Sequence, residues 1–248
     1  MRLPTRTLSA VQTDAEFRTE LVAELRDLQD EICRALEEVE REHGNGARFV
    51  EDSWERPGGG GGRSRVLAGG EVFEKAGVNF SEVRGAFSEK FAAEMPGDAR
   101  DFFATGVSLV IHPCNPHVPT THANFRHIAQ GERAWFGGGA DLTPYYDEAE
   151  DRAHFHQVLR EACEAHPDVA DYDEFARWCD YYFYLPHRGE RRGVGGIFYD
   201  DISIHDEKGE PSEARRRAVF EFSKRAGRSF VPAYVPIVRR RVGEACRR

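Results

Sequence analysis

Residues Gly106–Ile128, GVSLVIHPCNPHVPTTHANFRHI, decide the fold. Pro113, Pro116 and Pro119 lack the N–H that a sheet ladder needs, so one strand must end at His112 and the next resumes near Thr121. Side chains alternate faces along a strand. Gly106, Ser108, Val110 and His112 therefore share one face, and Val107, Leu109 and Ile111 the other. In the second strand His122, Asn124 and Arg126 oppose Ala123, Phe125 and His127. A hairpin register that gathers Ser108, His112, His122, Asn124 and Arg126 leaves Val107, Leu109, Ile111, Ala123 and Phe125 for the core. The other register would press Arg126 and His122 into the apolar layer, which is strongly unfavourable. One sheet face thus collects two imidazoles, an amide, a hydroxyl and a guanidinium.

Outward from this hairpin, Ala134–Thr143 (AWFGGGADLT) reads as the next antiparallel strand. Its Gly137, Gly138 and Gly139 suit a body lying against the strand, either a flat ligand or closely packed structure. Asp141 stands at the strand end, where a lone carboxylate is commonly a turn cap. Residues 147–166 and 173–184 read as helices, with His154 and His156 flanking the apolar stripe of the first. LPHRGERRGVGGIFYDDISIHD (185–206) places Arg188, Arg191 and Arg192 beside His187, ahead of a strand over 193–204. Helices are expected at 212–227 and 231–242.

Toward the N-terminus, Thr13 and Glu16 form a capping-box pattern ahead of Phe17, Leu21, Leu25, Leu28, Ile32, Leu36 and Val39, the stripe of a long amphipathic helix closed by His43-Gly44. Glycines 58–62 read as a flexible linker in preference to a ligand-approaching loop, with Arg63 and Arg65 as candidate anion contacts. Residues 66–73 read as a strand with a Gly69-Gly70 turn, and Ser81 as the cap of a helix reaching Met95. Strands between flanking helices give an α+β chain with one antiparallel sheet.

The chain of 248 residues holds 34 Lys and Arg against 43 Asp and Glu, a formal net charge of -9. That charge speaks against nucleic acid as a partner. An anionic ligand would need a local arginine cluster, which screening beyond roughly 8–10 Å lets act alone. No apolar run is long enough for a membrane span. Five cysteines, odd in number and never spaced C-x-x-C, fit a reducing compartment, the cytoplasm by default.

Two chemistries suit these residues. His112 and His122 on one face, with a helical histidine, have the ligands for a divalent metal. Alternatively Arg126, Arg188, Arg191, Arg192 and Arg63 offer planar forks for a polycarboxylate, with Asp141 accepting from ring N–H groups and His122 moving protons. A metal-dependent hydrolase built on His112, His122 and a helical histidine, His154 or His156, is a third class, distinguishable by its indifference to oxygen.

FVEDSWERPGGGGGRSRVL (49–67), VNFS (78–81), the 106–128 hairpin, WFGGGADLTPYY (135–146) and WCDYYFYLPHRGERRGVGGIFYDD (178–201) resemble the oxygen-dependent coproporphyrinogen III oxidases. The resemblance implies a large antiparallel sheet with helices on both faces and a homodimer. It also implies oxidative decarboxylation of two propionates of coproporphyrinogen III to give protoporphyrinogen IX, with molecular oxygen as co-substrate and no organic cofactor. The family's proton-donor histidine falls on His122 and its pyrrole-facing aspartate on Asp141. Its substrate contacts fall on Ser108, Asn124, Phe125 and Arg126. Histidines implied as ligands of a Mn-like divalent metal fall on His112, His122, His156 and His187. Family members continue past the helix ending near Arg241 with a further strand, a Gly-Gly-Arg loop and a dimerisation element, none of which residues 243–248 resemble. The resemblance thus implies one domain over 1–248, shortened at its C-terminus, with a non-catalytic tetrapyrrole-binding remnant as the alternative function.

Overall fold

The computed structural model describes residues 8–92 and 99–245. Its frame is a meander of strands β1 (Val50–Glu55), β2 (Gly60–Ala68), β3 (Phe73–Ala86), β4 (Asp101–Pro113), β5 (Thr120–Gln130), β6 (Arg133–Thr143) and β7 (Gly195–Ser203). They pair in sequence order, each antiparallel to the next. The helices are α1 (Leu8–His43), α2 (Glu89–Ala92), α3 (Ala149–Glu164), α4 (Tyr172–Tyr182), α5 (Glu213–Arg228) and α6 (Phe230–Arg241).

The apolar stripe expected on α1 is buried from Phe17 to Val39 against the sheet and the C-terminal helices. Two polar residues in that stripe fasten it. Gln29 donates to the carbonyls of Arg63 and Val78 at 2.7 and 2.8 Å, and the Glu40 carboxylate accepts the N–H groups of Val72 and Phe73 at 3.0 and 2.7 Å. The neutral Gln29 bonds fix the helix to β2 and β3, and the charge-assisted Glu40 bonds, shielded from water, fix it to the β2–β3 turn. Residues 8–12 are already helical, so Thr13 lies within α1 and not at its N-terminal end.

On the sheet face toward α1, α3, α5 and α6, Val107, Leu109, Ile111, Ala123 and Phe125 are all buried, as the hairpin register requires. Helix α4, capped by the Asp171 carboxylate on the Glu174 N–H at 3.0 Å, wraps the β7 edge. Its Phe175 meets Tyr199 on the core side, and its Tyr182 stacks on Phe198 on the opposite face, ring centroids 4.3 Å apart. The β4–β5 connection is anchored from below. The Asn115 amide donates to the carbonyls of Val242 and Glu244 at the end of α6, and the Tyr234 hydroxyl donates to Pro119 O.

Two local readings give way to sheet pairing. Glycines 60–62 are not a linker but the start of β2, laddered to Trp54–Glu55 on one side and Ser81–Val83 on the other. Residues 81–86 are not helical: β3 runs on to Ala86 against Asp101–Gly106, and α2 holds four residues. The i, i+4 spacing of Val83 and Phe87 is outweighed by the ladder hydrogen bonds that two long neighbouring strands supply. The expected end at Met95 lies outside the described residues.

Candidate active site on the polar sheet face

Strand register builds the site row by row. Asn79, Ser108, Asn124, Gly139 and Phe198 stand opposite one another across five strands. The next row holds Gly77, Val110, His122, Asp141 and Gly196, and the row on the other side Ser81, Gly106, Arg126 and Gly137. Ser108, His122, Asn124, Arg126 and Asp141 line one cavity of about 420 Å³, closed on its β7 side by Tyr182, Phe183 and Phe198. His112 shares the face but sits one row further out, opposite Lys75, and is exposed.

Asp141 is the buried centre, 3% exposed. Its Oδ1 lies 2.8 Å from His122 Nδ1, and its Oδ2 accepts from the Arg192 guanidinium. The Arg192 guanidinium lies over the Phe183 ring, 3.7 Å from its centroid, and is further held there by a cation–π contact. A carboxylate opposite Nδ1 favours the tautomer with the proton on that nitrogen and leaves Nε2 to exchange a proton. Arg126 donates to Asp200 Oδ2 at 2.6 Å. Three buried polar atoms of this wall have no hydrogen-bond partner: Asn124 Oδ1, Arg126 Nε and Arg192 Nε. These atoms are closed off from the cavity itself, and what the cavity presents is the accessible part of the Arg126 and His122 side chains, about one-third exposed each.

Several expected participants are elsewhere. Phe125 is 1% exposed in the helical layer, so its side chain cannot touch a ligand in this cavity. Arg63 pairs with Asp30, and Arg65 with Asp30 and Glu51, so neither serves the site. Arg188 and Arg191 pair with Glu190 and Asp180, while Arg192 alone of that cluster turns inward. The glycine-broken strand serves the protein's own packing. A Cβ on Gly137 would fall 2.6 Å from Asp200 Oδ1, and one on Gly138 2.6 Å from the Tyr199 hydroxyl.

The four histidines implied as metal ligands do not assemble. His156 Nδ1 lies 2.6 Å from the Tyr172 hydroxyl and its Nε2 2.9 Å from Val194 O, so both ring nitrogens are already engaged. His187 is exposed in the turn after α4, and His122 belongs to Asp141. Among the described residues no three His, Cys, Asp or Glu side chains come together as a metal site. The donor set does not fit a metal ion.

Asp200 and the aromatic wall of Tyr182, Phe183 and Phe198 were not singled out by sequence reasoning. Strand parity held the signal for two of them, since Phe198 and Asp200 alternate with buried Tyr199.

A family profile described as coproporphyrinogen III oxidase matches residues 20–247. A protein of Prochlorococcus marinus (strain MIT 9313) named oxygen-dependent coproporphyrinogen-III oxidase is 48% identical over 237 residues, covering 88% of this chain and 66% of its own length. A protein of the same name from Parasynechococcus marenigrum (strain WH8102) is 46% identical over 245 residues, covering 91% and 66%. The chain therefore spans 66% of the length of these curated relatives.

Proposed function

The chain belongs to the coproporphyrinogen III oxidase family, and on that premise we propose that it oxidatively decarboxylates coproporphyrinogen III to protoporphyrinogen IX, with molecular oxygen as the acceptor, in haem and porphyrin biosynthesis. The observation that supports this best is the gathering of Ser108, Asn124, Arg126 and the linked His122, Asp141 and Arg192 on the wall of one cavity, beside Tyr182, Phe183 and Phe198. Such a wall suits a ligand bearing carboxylates and N–H groups together.

Each propionate loses carbon dioxide and a β-hydrogen. Written with its electrons, a propionate anion, one oxygen molecule and one proton give a vinyl group, carbon dioxide and hydrogen peroxide. The residues supply position and protons. Arg126 grips a propionate through the nitrogens that Asp200 leaves open, and Ser108 and Asn124 give neutral polar contacts beside it. Asp141 keeps a second lone pair on each oxygen and polarises a pyrrole N–H that lies directly against it. His122, oriented by Asp141, delivers the proton that peroxide needs through Nε2. Phe198 and Tyr182 offer flat surface for a ring. No step is assigned to His112, His156 or His187.

The test is turnover of coproporphyrinogen III in air and under nitrogen, read as protoporphyrin fluorescence after oxidation. Product in air and none under nitrogen is expected. Equal turnover in both overturns the acceptor assignment, and binding without product replaces the enzyme with a tetrapyrrole-binding protein.

We place the protein in the cytoplasm as a homodimer. Cys33, Cys114, Cys163 and Cys179 are free, which fits a reducing compartment, and no helix among the described residues is long and apolar enough to cross a membrane. The outer edge of β1, with Val50 and Trp54 exposed, is a candidate contact between copies, which sedimentation would reveal.

A further inference from the structure

We propose that Asp200 is a positioning residue for Arg126: it holds the guanidinium across Gly137 by one nitrogen and so reserves the rest of the fork for one carboxylate of the ligand. This rests on the reading of the cavity as a tetrapyrrole site.

The local structure is built around this pair. After Tyr199 the β6–β7 register shifts between Phe136 and Gly138. Asp201, φ 57, is the sole non-glycine among the described residues with positive φ. A left-handed aspartate costs about 1 kcal/mol or more, and such conformations persist where the surroundings require them. Here the Asp201 N–H donates to Asp200 Oδ1 at 3.0 Å, so one carboxylate oxygen is tied to its own strand. The other oxygen takes Arg126 at 2.6 Å. Gly137 lies between the two side chains, where a Cβ would come within 2.6 Å of Asp200 Oδ1 and 2.9 Å of Arg126 Nε. The bulge, the strained residue and the missing side chain all serve one arrangement.

A pair that merely joined β5 to β7 would use the guanidinium as a fork against both carboxylate oxygens, the strongest geometry open to it. This one does not. Asp200 spends its second oxygen on backbone, and Arg126 keeps Nε buried with no partner. The Arg126 side chain nevertheless stays about one-third exposed and lines the cavity, where a carboxylate can reach it. The same arrangement fixes the plane of the guanidinium before the ligand arrives, so less rotamer freedom is lost on binding.

Asp200→Asn, Arg126→Ala and their double variant, in the full 248-residue chain, test this by titration with coproporphyrin III and with its uncharged tetramethyl ester. Wild type is expected to favour the free acid. Asp200→Asn should weaken the acid about tenfold and the ester less than about twofold, with an unchanged melting temperature. The double variant should bind the acid no more weakly than Arg126→Ala alone, because Asp200 acts through that arginine. Gly137→Ala should reproduce the Asp200→Asn pattern. Equal losses for acid and ester, additive losses in the double variant, or a fall in melting temperature with no change in affinity would each overturn the assignment. Acid-selective binding without turnover removes the enzyme reading and leaves this one standing, whereas a wild type indifferent to esterification removes this one.

Discussion

His122 and His127 stand on the same strand, on opposite faces of the sheet, and their surroundings make them different chemical groups. His122 is one-third exposed and shares its Nδ1 with the buried Asp141. His127 is sealed among Phe17, Phe103 and Phe136, with neither ring nitrogen hydrogen-bonded. Burial, with Arg18 and Arg216 nearby, pushes its pKa down to about 3. An odd number of strand positions separates a cavity-lining imidazole from a core filler. The lesson is that residue type says little until strand parity and the partner across the ladder are known.

The largest expected effect comes from breaking the polar side of this comparison. On the proposed reaction, Asp141→Ala should lower turnover about a thousandfold, because it removes the orienting partner of His122 and the carboxylate proposed to polarise the ring N–H. Measured kcat within a few fold of wild type would show that the dyad does no chemistry. Nearly as large, but in stability, is Phe125→Ala on the apolar side. It should cost about 3–5 kcal/mol in denaturant unfolding. A mainly functional loss, with stability kept, would mean that Phe125 does reach the ligand.

The comparison sharpens with pH. His127 is neutral when folded down to about pH 3, whereas the unfolded chain takes up its proton below about pH 6.5. The depressed folded pKa therefore adds no penalty above pH 6.5, and stability falls as pH drops from there toward 3. His127→Phe should remove that part of the acid sensitivity. The stability difference between variant and wild type should grow by up to about 1.4 kcal/mol per pH unit below 6.5. A difference that does not change with pH would mean that His127 is protonated in the folded state.

The smallest effect is expected at Arg63. It donates to Gln29, Asp30 and the Arg26 carbonyl at the α1–β2 contact, away from the cavity. Arg63→Ala should cost about 1–2 kcal/mol of stability and leave KM unchanged. A raised KM would return Arg63 to the list of substrate contacts.

Much of the hairpin was legible in the sequence. Three prolines marked where pairing stops, alternation set the two faces, and the apolar partners chose which face is buried, a choice that the observed register from Phe102–Gln130 to Ile111–Thr121 keeps. The long amphipathic stripe likewise gave α1 its buried face. The misreadings share a cause. Glycines 58–62 look flexible in isolation, and Ser81–Phe87 carries helical spacing, yet Gly60–Gly62 and residues 81–86 were drawn into the sheet by strands on either side. Local pattern does not report the neighbour that a segment will find.

By itself, then, the chain's order of residues determined the antiparallel run around the 106–128 hairpin and which side chains share its polar face, because alternation and proline's missing donor are properties of the local backbone. The tertiary structure decided which of those groups are at liberty. It set Arg65 and Arg191 against acids outside the site, engaged both nitrogens of His156, buried Phe125, and laid Asp200 across Gly137 onto Arg126. Ion pairing and burial depend on segments distant in sequence arriving at hydrogen-bond distance, and no local pattern encodes that arrival.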